Sequence, residues 1–334
     1  MPDQPRFSRR TFIERSSALA LATTSLTLAG CDDAKPVILD TDIGDDIDDT
    51  WALMMLLRTP GLDLKLVVGD YGNAVYRARL LAKLLTLTGR TDIPIGVGVG
   101  RADEPGQQSG WVGDYQLGDY SGDIIEDGVQ AIIQTIKRSP VPVTLICIGP
   151  VPNIAEALRR DPSIAGNARF IGMHGSVYKG YDNALQPDAE WNVKTDPASL
   201  QAVFAAPWEC TITPLDTCGV VVLDGEHYKK IHNSNDPWLQ ALMENFRLWL
   251  PGAPYVDPNL DTTQTSTTLF DSVAVYLAAD DALLEMQTLP LVVTDDGFTV
   301  VDAQAGRPVQ CAIGWKDLEA FKALLTQTLL ARSR

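Results

Sequence analysis

Pro36-Val37-Ile38-Leu39-Asp40-Thr41-Asp42-Ile43-Gly44-Asp45-Asp46-Ile47-Asp48-Asp49 is the stretch from which the rest of the chain can be read. Its opening apolar run is too short for a helix and lacks the alternation of a half-exposed strand, which predicts a strand buried on both faces. It breaks into six aspartates within ten residues, where 43 acidic residues spread over 334 would place one or two. Carboxylates about 5 Å apart repel by about 1 to 3 kcal/mol per pair. One reading of the loop is therefore a cation site, and with oxygen ligands and no neighbouring His or Cys the ion is hard, calcium or magnesium rather than zinc. The other is a solvated acidic turn capping a helix predicted from Thr50, since Asp at a helix amino terminus is favourable without metal.

Outward from this loop the same pattern recurs. Apolar runs at 36–39, 64–68, 143–148, 170–173 and 289–293 predict buried strands. Between them, 3.6-residue periodicity predicts helices over 50–57, 76–87, 128–137, 154–158, 197–204 and 238–249. Alternating strand and helix implies an α/β fold, a mostly parallel central sheet flanked by helices on both sides. Ligands in such folds bind beyond the carboxyl ends of the strands, so the residues following each run are where chemistry is expected.

Composition narrows the function. At 45% hydrophobic and 21% charged the chain is ordinary globular protein, and its net charge of -16 repels nucleic acid. The first thirty residues run against that charge, with Arg6, Arg9, Arg10 and Arg15 facing only Asp3 and Glu14. Ser8-Arg9-Arg10-Thr11-Phe12-Ile13 resembles a twin-arginine export signal, and Leu28-Ala29-Gly30-Cys31 after an apolar run resembles a lipoprotein box. Residues 1–30 are therefore expected to be a signal peptide, Cys31 a lipidation site, 31–35 a short tether and 36–334 one domain. The implied location is a membrane, anchored through Cys31 and facing the periplasm or cell exterior. Cys147, Cys210, Cys218 and Cys311 have no zinc-like spacing and are expected as buried thiols, with a Cys210–Cys218 disulfide the alternative.

Two families place aspartates after a first strand in this way. In a haloacid-dehalogenase-like phosphatase Asp40 would be the nucleophile and Asp42 the acid, with Asp295 and Asp296 helping to hold magnesium. The second resemblance extends further along the chain. Asp42, Gly44, Asp48 and Asp49 before a helix are similar to the signature loop of the inosine-uridine nucleoside hydrolase family. Val67 to Asn73, Thr144 to Ala155, Glu190-Trp191-Asn192 and Leu269 to Val275 resemble further elements of that family in the same order. The resemblance implies an open, Rossmann-like sheet and calcium-dependent hydrolysis of the N-glycosidic bond of a ribonucleoside or related N-ribosyl compound. Its implied partner is thus a small nucleoside-like molecule, and its relatives' self-association implies a homo-oligomer.

Carried across, the family roles make Asp42, Asp49, Asp271 and the carbonyl of Pro152 the calcium ligands. Asp48 becomes the general base, with Asp46 the alternative because it lies two residues after Gly44. Asn73, Asn183, Glu190 and Asn192 orient the sugar. One departure bears on chemistry: Phe270 stands where purine-active relatives carry a histidine that protonates the leaving base, a loss worth about 10²- to 10⁴-fold. A replacement acid is sought in His174, which follows an apolar strand, while His227 and His232 read as surface residues. Trp111, Tyr115 and Tyr120, in the Gly-rich segment 105–122, either stack on a base from a mobile lid or pack within the loop. Phe270 also keeps open a second function, a catalytically weak ribosyl-binding lipoprotein on the same fold.

Overall fold

In the first strand, β1 (Lys35–Thr41), Val37 and Leu39 enter one core and Ile38 enters another, because successive side chains of a strand leave by opposite faces. The computed structural model describes residues 34–100 and 102–331, so the export signal, Cys31 and most of the tether lie outside the described residues. The strands that follow are β2 (Leu62–Gly69), β3 (Ile95–Val97), β4 (Ile124–Ile125), β5 (Val143–Cys147), β6 (Ala168–Met173), β7 (Cys210–Thr213), β8 (Leu284–Val293), β9 (Thr299–Val301) and β10 (Arg307–Trp315). All ten form one sheet in the order β4-β3-β2-β1-β5-β6-β7-β10-β8-β9. Pairing is parallel from β4 through to β10, and antiparallel where β8 meets β10 and β9.

Helices cover both faces. On one side Trp51, Leu81, Phe246 and Phe321 come from the helices Asp48–Arg58, Ala74–Leu87, Pro237–Trp249 and Leu318–Leu330. On the other, Ile132, Ile154 and Leu200 come from Gly128–Arg138, Pro152–Arg160 and Pro197–Ala205. The sheet is thus buried as its near-continuous Val, Ile and Leu runs require.

The run at 289–293 departs from expectation. It belongs to β8, which is antiparallel and has only β9 outside it, and Leu289, Leu291 and Val293 enter the second core while Pro290 and Val292 stay half-buried. Near the sheet's edge a single covered face suffices. The four cysteines are buried free thiols, so Cys210 and Cys218 do not pair.

Strand order fixes where a ligand can sit. From β1 the chain steps outward to β4 and then returns to β5 on the other side of β1. The connections therefore diverge between β1 and β5, which opens a crevice beyond their carboxyl ends. Asp42 and Ile148 are the residues that lie just past those ends.

Candidate active site

Three buried carboxylates meet at that crevice. Asp48 and Asp49 occupy the first turn of the helix Asp48–Arg58, and Asp271 is the N-cap of the helix Ser272–Ala279. Each offers an oxygen within 4.8 Å of the others'. Thr41 Oγ1 donates to Asp49 Oδ1, and the Asp271 backbone N–H donates to Asp48 Oδ2 at 3.4 Å. Burial first, then the neighbouring negative charges, push all three well above the usual carboxylate range. Asp42 lies outside this triad yet adds to the repulsion on each member. The strong positive charge here is Arg77, acting on Asp42 and Asp49, whereas the leading charges around Asp48 and Asp271 are negative. An oxygen-only cluster this crowded fits a divalent cation, which would relieve the repulsion that burial intensifies.

The acidic loop keeps its shape because its carbonyls are held from outside. Arg77 Nη1 donates to the carbonyls of Asp42 and Ile43, Nε to that of Tyr71 at 2.7 Å, and Nη2 to Asp45 Oδ2 at 2.8 Å. Tyr76 Oη donates to the Gly44 carbonyl at 3.1 Å, Trp249 Nε1 to that of Asp45 at 2.7 Å, and Gln108 Nε2 to that of Asp46. Gly44 has φ +112°, and a Cβ there would sit 2.5 Å from Tyr76 Cε1, so the position admits only glycine without rearrangement.

Beneath the loop Asp40 and Asp70 are fully buried, and Asp40 Oδ2 and Asp70 Oδ1 have no hydrogen-bond partner among the described residues. Asn153 Nδ2 donates to Asp40 Oδ1 at 2.7 Å, and the Val151 N–H donates to Asp70 Oδ2 at 2.9 Å. Burial raises Asp40 to about 7 and Asp70 well above its usual range, where the Asp40 charge adds to the repulsion. Asp40 is therefore a structural group. The phosphatase reading, which needs an exposed Asp40 nucleophile, does not fit.

The other expected residues divide. Glu190 caps the helix Trp191–Thr195, Oε1 accepting from Asn192 N and Oε2 from Gly175 N, at 2.8 and 2.9 Å, and burial raises it to about 7. Asn192 Nδ2 donates to the Met173 carbonyl at 3.0 Å, at the carboxyl end of β6. Asn73 caps the helix Ala74–Leu87 and donates to the Glu104 carbonyl, while Asp46 is half-buried at the loop's rim and is raised to about 6, chiefly by burial. Asn183 is exposed in a turn and accepts from Lys179 Nζ, so it is not brought to the cluster. Pro152 opens the helix Pro152–Arg160, on the turn that follows β5. The backbone that runs beside Asp42 is that of Gly149, where a Cβ would meet Asp42 N at 2.9 Å. Gly149's own carbonyl is bonded to His174 Nε2 at 2.9 Å.

His174 is fully buried, and that burial lowers it to about 4, so it is neutral and cannot serve as the acid. Trp111 and Tyr120 are buried and Tyr115 half-buried. Trp111 Nε1 donates to Glu244, Tyr120 Oη to Ile93 and Tyr115 Oη to Ala82, which makes them packing groups.

A family model described as inosine-uridine preferring nucleoside hydrolase matches residues 37–323. The chain belongs to that family. The pyrimidine-specific ribonucleoside hydrolase RihA of Salmonella arizonae is 28% identical over 323 residues, covering 89% of this chain and 98% of the relative. RihA of Escherichia coli K12 is 28% identical over 271 residues, covering 74% and 85%. Among solved structures, a plant nucleoside hydrolase superposes with a TM-score of 0.74 at 23% identity, covering 90% of this chain and 100% of that one. The purine-preferring ribonucleoside hydrolase of Gardnerella vaginalis gives 0.70 at 23% identity, covering 88% and 98%. Those two superpositions bear out the expected mostly parallel, helix-flanked sheet.

Several groups that shape this nucleoside hydrolase site were not singled out from sequence. Arg77 reads as one more basic residue on a helix, and Asp70 and Asn153 as polar ends of strand and helix. Their burial was the missing signal, since a buried charge or amide is almost always committed to a partner.

Proposed function

We propose that the chain is a calcium-dependent N-ribosyl hydrolase that cleaves ribonucleosides to free base and ribose. The observation that carries this is the buried Asp48–Asp49–Asp271 cluster at the crevice between β1 and β5. Asp49, Asp271 and Asp48, with the carbonyl of Pro152 that the family resemblance implies, would hold the ion. When bound, it supplies the positive charge against which these carboxylates ionise and polarises a water and the ribose diol.

The chain's own residues then divide the work. Asp42 takes the proton from the attacking water, because it borders the triad and its carboxyl, pushed well above the usual range by burial, is drawn back toward the ionised form by Arg77. Asp48, the base expected from sequence, is the rival for this role, and Asp46 stays at the rim, tied to Ile47 N at 2.6 Å. Glu190 and Asn192, with Asn73, orient the sugar through its hydroxyls. Water adds to C1′ as the C1′–N bond breaks, its electron pair leaving with the base through an oxocarbenium-like transition state.

The test is ribose release by the purified protein from uridine, inosine and p-nitrophenyl riboside. Turnover is expected with calcium, none with a chelator, and recovery when calcium is restored. Calcium binding without turnover of any substrate would support the ribosyl-binding reading that Phe270 keeps open. We also propose, on sequence alone, twin-arginine export and lipid attachment at Cys31; incorporation of labelled lipid that survives Cys31→Ala would refute the anchor.

A stability measurement tests the burial argument. Asp40 and Glu190 bind a proton more tightly folded than unfolded, so the stability this confers is full below about pH 4 and is lost as pH rises through 7. Between pH 6 and pH 8 the calcium-free protein is expected to lose about 3 kcal/mol and Tm to fall by about 5 °C. Calcium should restore Tm at pH 8, and a flat calcium-free profile by calorimetry would contradict the raised carboxyls.

A further inference from the structure

With Phe270 in place of the expected histidine and His174 sequestered, the departing base needs another hydrogen-bond donor. A tyrosine stands against the Phe270 ring. Tyr181 opens a tight turn in which Ala184 N donates to the Tyr181 carbonyl at 3.0 Å, with Asp182 at φ 54° and Asn183 at φ 58°. Two successive left-handed residues make this a type I′ turn, tolerated by Asp and Asn because their short side chains relieve the usual clash. Tyr181 N donates to Asp188 Oδ2 at 2.9 Å, so the residue is fixed at its backbone as well.

Two independent contacts place its side chain. The ring meets Phe270 edge-on with centroids 6.2 Å apart, and Phe270 immediately precedes Asp271. The hydroxyl oxygen accepts from Trp191 N at 2.8 Å, and Trp191 lies between Glu190 and Asn192. The side chain therefore bridges the segment that leads into Asp271 and the segment that carries Glu190 and Asn192. Its oxygen is used as an acceptor, so its proton remains to be donated, and among the described residues no protein group accepts it. Burial and the nearby Glu190 charge raise the phenol, which keeps that proton in place at neutral pH.

We propose that Tyr181 donates a hydrogen bond to the leaving base, at an acceptor oxygen or ring nitrogen that gains charge as the C1′–N bond breaks. The electron pair of that bond goes to the base and the Tyr181 proton stays on its oxygen. The free base then takes its proton from water. This deepens the proposed hydrolase reading and rests on it.

The test is Tyr181→Phe, which keeps the ring against Phe270 and removes only the hydroxyl. On uridine kcat/KM is expected to fall about 100-fold, whereas on p-nitrophenyl riboside, whose phenolate leaves without help, it changes less than about threefold. Adding Phe270→His to Tyr181→Phe should recover uridine turnover, since an imidazole would again face the base. An equal loss on both substrates would reduce Tyr181 to a support for Trp191, and no loss on either would overturn the proposal outright. Wild-type protein that turns over the activated glycoside but neither uridine nor inosine would show that the site has no leaving-group donor, and Tyr181 would fall while the water-activating half stood. Wild-type protein inactive on all three would instead remove the hydrolase reading itself.

Discussion

Asp42→Asn is expected to lower kcat on uridine by about 10³-fold while calcium affinity changes by less than about tenfold. Asp49→Asn and Asp271→Asn are expected to fail differently, by losing calcium, with activity recovered in part at high calcium. The contrast follows from position. Asp49 and Asp271 sit inside the cluster whose oxygens lie within 4.8 Å of one another, and removing either charge takes away a ligand. Asp42 lies next to that cluster; burial holds its carboxyl well above the usual range while the guanidinium beside it pulls it back toward the ionised form, the balance a proton acceptor needs. An amide at 42 keeps the shape of the side chain but cannot accept the water's proton. Isothermal titration with calcium and steady-state kinetics on the same preparations separate the two effects. If Asp48→Asn keeps calcium and loses kcat, while Asp42→Asn loses calcium, the roles are the reverse and Asp48 is the base.

The ease with which this site was found in the sequence, and the difficulty of assigning roles within it, have one physical origin. The acidic loop is local: strand, turn and helix start follow each other within fifteen residues, so pattern alone locates it. Asp271 and Glu190 were reachable through family resemblance because their neighbours repeat a recognisable order. Roles within the site depend instead on distances between segments. Asp42 and Asp48 stand in one acidic stretch, and it is Asp48 whose carboxylate oxygen lies within 4.8 Å of those of Asp49 and Asp271. Periodicity does not distinguish them. His174 shows the same limit, for a residue following an apolar strand reads as active until its ring is found fully buried against Gly149. The run at 289–293 was legible as a strand but not as an antiparallel one, because β8 takes its direction from β10, which follows it in the chain.

Arg77→Met is expected to destabilise the calcium-loaded protein by about 3 to 5 kcal/mol, the cost typical of breaking a buried charged network from one side. The guanidinium is 2% exposed and serves four acceptors, three of them carbonyls of Asp42, Ile43 and Tyr71. Methionine fills most of the volume but donates nothing, so those carbonyls are left buried and unsatisfied and Asp42 loses its neighbouring positive charge. Lysine should recover less than half, since its ammonium lacks the planar fork that reaches several oxygens at once. The ion pair with Asp45 is the lesser part: that carboxylate is 36% exposed, and Asp45→Asn is expected to cost under about 1 kcal/mol. Urea unfolding at saturating calcium measures all three variants. Arg77→Met within about 1 kcal/mol of wild type would mean that the loop carbonyls find other partners, and the loop would then be shaped by the cation and not by the clamp. A large loss for Arg77→Met with a small one for Asp45→Asn would instead establish that the arginine acts on the backbone, holding the loop open so that its carboxylates converge before any ion arrives.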